Sequence, residues 1–114
     1  MSEIFEVESE LDFQQRLATA GDLLVIVEFF VPWSGSCKKL DSKLAEFAEK
    51  YSGRVRILKV DTDKLKQLTL RNKVRYVPTF VFFWSGEKLD GIVDEANARK
   101  VEGYIERYLA STSC

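Results

Sequence analysis

Residues 23–31 read LLVIVEFFV, an apolar run broken only by Glu28. No other stretch limits the possible folds as much. It is far shorter than the roughly 20 residues of a membrane span. It is rich in β-branched and aromatic side chains, which fit a pleated strand. A strand that is apolar on both faces must be covered on both faces, so it belongs at the centre of a sheet flanked by helices. Glu28 is then a carboxylate in an apolar interior, where burial without a partner raises its pKa.

The flanking patterns supply those helices and further strands. Ser9 is a helix cap with Asp12 at the capping-box position, Phe13 and Leu17 share a face, and Gly21 ends the segment. Leu40, Leu44, Phe47, Ala48 and Tyr51 recur at three- and four-residue spacing until Gly53, which predicts a long helix. RVRILKV, 54–60, is a second strand. Asp61 and Asp63 are expected to open a short helix with Leu65 and Leu68 inward. TFVFFW, 79–84, is a third strand, SGE a turn, and KLDGIV, 88–93, an antiparallel fourth. Val101, Tyr104, Ile105 and Tyr108 mark a closing helix, and Ile4–Val7 suits a short edge strand. The sum is one α/β domain over 1–114, with a mixed four- to five-stranded central sheet and helices on both faces.

Lys and Arg total 17 against 18 Asp and Glu, a net charge of −1, which gives no reason to expect nucleic acid or an anionic membrane as partner. The N-terminal MSEIFEVESE is acidic and lacks the apolar core of a signal peptide, so a cytoplasmic location is expected. There are two cysteines, Cys37 and Cys114, and no histidine. Ser–His and Cys–His catalytic pairs are thereby excluded. Two cysteines fill half a zinc tetrahedron, so no metal site is expected, and nothing implies another cofactor. Cys114, at the tail, is a candidate for an intermolecular disulfide that would join two copies.

Four motifs then fall into one known order: Glu28 in VEFF, WSGSCK at 33–38, KVD at 59–61 and VPTF at 77–80. On these the chain resembles the thioredoxin family from about Phe13 to Leu109, and WSGSCKKL is locally similar to protein disulfide isomerase domains. The resemblance implies a thioredoxin fold and a parent activity of protein disulfide reduction. It also implies protein or peptide substrates and electrons from a thioredoxin reductase. It places Ser34 where the family has its nucleophilic cysteine, and Cys37 at the shielded resolving position. Glu28 stands for the family's buried aspartate, Lys59 for the lysine near it. Trp33, Gly35, Ser36, Val77, Pro78 and Asp94 fall on the family's binding surface, with Pro78 as its cis proline. Ser36 replaces a proline and Asp94 a glycine of the family pattern.

A helix N-terminus carries unpaired N–H groups and partial positive charge, and so stabilises a thiolate placed there. Ser34 offers an alcohol instead. It stays protonated at neutral pH, and without histidine it has no evident base. As a favoured N-cap it still has a structural role. Ser34 and Cys37 cannot form a disulfide, so dithiol turnover is expected to be absent or severely impaired. Two readings lead, ahead of a monothiol enzyme acting on glutathione mixed disulfides, which would use the exposed first position that is lost here. One is a disulfide oxidoreductase disabled at its first cysteine, by nature or by design. The other is a redox-inactive module, binding or chaperoning extended polypeptide.

Overall fold

The computed structural model describes residues 3–111, so Cys114 lies outside the described residues. The elements run β1 (Ile4–Glu6), α1 (Glu10–Ala18), β2 (Leu24–Phe30), α2 (Gly35–Lys50), β3 (Val55–Asp61), α3 (Lys66–Arg71), β4 (Thr79–Trp84), β5 (Glu87–Val93) and α4 (Ala98–Ser111). They form a mixed sheet in the order β1-β3-β2-β4-β5. β1, β3 and β2 are parallel, β4 is antiparallel to β2, and β5 is antiparallel to β4.

Every residue of β2 is buried, as its two apolar faces require. Strand alternation divides them. Leu24 and Ile26 join Leu40, Leu44 and Phe47 of α2 and Val101 and Ile105 of α4 in one core. Val25, Val27 and Phe29 join Phe13 of α1 and Leu68 of α3 in the other. The expected fold class is therefore what forms, with β1 as the fifth strand.

Local chemistry sets the element ends. Ser9 Oγ accepts the Asp12 N–H at 3.0 Å and so caps α1. Asp12 reaches back to the Glu8 N–H at 2.9 Å, one residue before the cap. The β4–β5 turn is Ser85–Gly86 with φ of 51° and 80°, the two positive angles of a tight hairpin whose twist suits the strands. One boundary differs from expectation. Asp61 does not open α3. It ends β3, paired in register with Phe30, and its Oδ1 accepts the Asp63 N–H at 2.9 Å. This side-chain-to-backbone turn competes with helix, as short Asp side chains do, and α3 starts only at Lys66 without a side-chain cap.

β5 is irregular. Val81 faces Ile92 and Phe83 faces Lys88, so β5 takes four steps where β4 takes two. In this bulge the Gly91 N–H donates to Tyr108 Oη at 2.8 Å, and that hydroxyl donates to Asp90 Oδ1 at 2.9 Å. A Cβ on Gly91 would lie 2.5 Å from Tyr108 Oη and 2.8 Å from the Tyr104 ring. Gly91→Ala is therefore expected to destabilise the fold by about 1–3 kcal/mol through overpacking, measurable as a lower midpoint in urea unfolding.

Candidate functional site

Register decides what meets at the C-terminal end of β2. Phe30 pairs with Asp61, Phe29 with Thr79, and Phe80 with Val93. The segments after β2, β3 and β5 and before β4 therefore share one end of the sheet. They bring Trp33–Cys37, Asp63, Val77–Pro78 and Asp94 together there. Asp94 lies just past β5 and is exposed, where a place on the last strand was expected.

Ser34 is the N-cap of α2, with extended backbone at φ −83° and ψ 125°. Its Oγ accepts the Cys37 N–H at 3.3 Å, and its carbonyl accepts the Lys38 N–H at 3.0 Å. The hydroxyl is thus occupied in closing the helix end. Gly35 and Ser36 are exposed on the first turn. Cys37, one turn in, is a free thiol and only 3% exposed. Trp33 is 72% exposed, and its Nε1 donates to Asp63 Oδ2 at 3.2 Å. The Val77–Pro78 bond is cis, Pro78 is buried, and Thr79 Oγ1 donates to the Tyr76 carbonyl at 2.5 Å.

Beneath this surface lies the carboxylate that β2 carries inward. Glu28 alternates with Leu24 and Ile26, so it faces the α2 side. It is fully buried, and neither of its oxygens has a hydrogen bond among the described residues. Lys59, its partner in the parallel register, holds Nζ 3.9 Å away. That is an ionic contact but too long for a hydrogen bond. Lys59 gives its hydrogen bond to Asp41 Oδ1 instead, at 2.7 Å. Burial pushes the Glu28 carboxyl up from 4.5 to about 7; Lys59 lowers it, and Asp41 raises it further.

Lys59 and Glu28 thus meet, while Asp41, which residue patterns did not single out, takes the lysine. One signal was present: Asp41 stands four residues after Cys37, on the same face of α2. The arrangement provides a shallow surface with an exposed indole, a shielded thiol and a buried acid able to ionise near neutrality.

The comparisons agree with this geometry. The Thioredoxin family model matches residues 4–107. Thioredoxin-1 of Drosophila melanogaster is 41% identical over 78 residues, which cover 68% of this chain and 73% of that one. Human thioredoxin is 39% identical over 100 residues, covering 88% and 93% of the two chains. Among solved structures, the Drosophila melanogaster germline-specific thioredoxin Deadhead superposes with a TM-score of 0.83 at 34% identity, covering 94% of this chain and 98% of that one. The reduced thioredoxin pre-protein of Schistosoma mansoni gives 0.86 at 35% identity, covering 93% and 98%. The chain belongs to the thioredoxin family.

The Glu28 environment has a measurable consequence for stability. A carboxyl whose pKa is raised by folding stabilises the fold fully below its unfolded pKa, and that contribution is lost as pH rises through the folded value. Between 4.5 and about 7 the loss amounts to roughly 3 kcal/mol at 1.36 kcal/mol per pKa unit. Glu28→Gln is expected to remove this fall, so that the stability difference between variant and parent shifts in the variant's favour from pH 4.5 to 8. Denaturant unfolding across that range is the check.

Proposed function

We propose that this protein is a thiol–disulfide oxidoreductase by family and scaffold that has no dithiol turnover of its own. The observation that carries this is Ser34. Its hydroxyl caps α2 on the Cys37 N–H, at the position from which a nucleophilic thiol would act. Reducing a disulfide takes two electrons. One thiol can open the bond as a mixed disulfide, and a second must release it. Here the remaining sulfur of the motif, Cys37, is shielded and has no neighbouring thiol in the motif to complete the exchange. A thioredoxin reductase would find no disulfide at this site to reduce. The absent couple fits a reducing compartment such as the cytoplasm, where Cys37 stays a thiol.

A second reading is favoured by Trp33. Its indole is exposed, at the end of the sheet that also carries the Val77–Pro78 loop, rather than packed into the core. Backbone groups next to such a loop accept an extended strand, and an aromatic wall adds contact area. In this reading the protein holds extended polypeptide without chemistry, and Asp94 at the rim adjusts which segments fit.

Insulin reduction separates the two. The parent protein is expected to show no catalytic reduction above the dithiothreitol background; catalysis at rates matching an intact thioredoxin would sink the proposal. Activity gained by Ser34→Cys means that the serine alone disables a working reductase. Continued inactivity, together with measurable peptide binding lost in Trp33→Ala, favours the binding module. Iodoacetamide labelling of Cys37 in the folded protein is expected to be slow, and to become fast on unfolding.

A further inference from the structure

Charge is distributed unevenly along this nearly neutral chain. Residues 64–86 carry Lys64, Lys66, Arg71, Lys73 and Arg75 and not one acidic residue. Arg71 is paired with Glu10 of α1, and Lys64 borders Glu6 and Glu8. Lys66, Lys73 and Arg75 have no ion pair among the described residues. Neither has Lys88 of β5, whose register partner Phe83 lies in the α1–α3 core. Lys73 and Lys88 feel each other directly: desolvation and the charge on Lys73 hold the Lys88 ammonium below its usual pKa.

Apolar side chains stand among these cations. Leu70 is 66% and Tyr76 63% exposed. Lys73 has a further peculiarity. α3 ends in a double hydrogen-bonded cap, in which the Lys73 N–H donates to the Leu70 carbonyl at 2.9 Å and the Val74 N–H to the Thr69 carbonyl at 3.3 Å. The residue in the left-handed position of such a cap is usually glycine. Here it is Lys73, at φ 57°. A side chain is retained where the backbone would be relaxed without one.

We propose that the face formed by Leu70, Lys73, Arg75, Tyr76 and Lys88 docks an acidic, apolar-studded segment of a partner polypeptide. Charge complementarity selects the occupant. Unpaired cations attract carboxylates, and the exposed leucine and tyrosine next to them in the chain give apolar side chains a seat. Duplex nucleic acid uses the cations but gains little from the apolar residues, and the net charge of −1 opposes it. The inference rests on the binding reading above and gives the partner a chemical class: Tyr76 leads directly into the Val77–Pro78 loop, so one extended chain spans both surfaces.

The test uses fluorescence anisotropy with two labelled peptides, one alternating Glu and Asp with Leu and Phe, the other carrying Gln and Asn in place of the acids. The acidic peptide is expected to bind more tightly, and less so as salt rises. Lys73→Glu and Lys88→Glu, each on an exposed side chain, are expected to weaken it by about tenfold and leave the amide peptide unchanged. Thermal melts confirm that both variants fold. Trp33→Ala reports on the neighbouring surface by weakening both peptides alike. If both peptides bind equally and only Trp33→Ala matters, the docking face is overturned while the binding reading stands. If neither peptide binds, both fall. If duplex DNA or phosphatidylserine vesicles bind and the acidic peptide does not, the inference is overturned in favour of a phosphate-seeking surface.

Discussion

A strand with no exposed face is the constraint on which everything else depends. β2 can exist only if two strands pair with it and two helical layers cover it. The parallel link to β3 and the antiparallel link to β4 supply the first condition, and α2 with α4 on one side and α1 with α3 on the other supply the second. Covering both faces leaves the ends of the sheet as the place where loops converge. The candidate site lies at one of those ends.

The same burial makes Glu28 unusual. Carboxylates this deep are normally neutralised or fully hydrogen-bonded. Here the cation across the ladder is engaged elsewhere, by Asp41 at 2.7 Å. The group therefore sits between ionised and neutral at ordinary pH. The motif at the start of α2 holds one sulfur, Cys37, and its serine, Ser34, caps the helix. Ser34 secures the start of α2 through its bond to the Cys37 N–H, and the indole next to it in sequence stands exposed.

Much of this was legible in the residues. The apolar run of β2, the three-and-four spacing of α2 and the serine cap all depend on near neighbours in the chain, and periodicity reports near neighbours well. What escaped were features set at a distance or by one short bond. Asp61 reads as a helix start, yet its side chain closes a turn on Asp63 and the helix begins later. KLDGIV reads as an even strand, and its two surplus residues show only when β4 is laid against it. Asp41 looks like one more exposed acid on α2 until β3 brings Lys59 to it. Cation pairing of that kind is written in the topology and not in the local pattern.

The kink that Gly91 and Tyr108 hold together bears on how copies of this molecule behave when crowded. β5 is the outermost ribbon on its side, and an outermost ribbon invites lengthwise stacking with a stranger's. Midway along it the backbone swerves, and the amide there is already spoken for by a phenol from the closing helix. A newcomer sliding up to that margin meets an interrupted hem instead of a continuous row of hooks. A strand laid along that margin would have to break the Gly91–Tyr108 bond before it could pair through the bend.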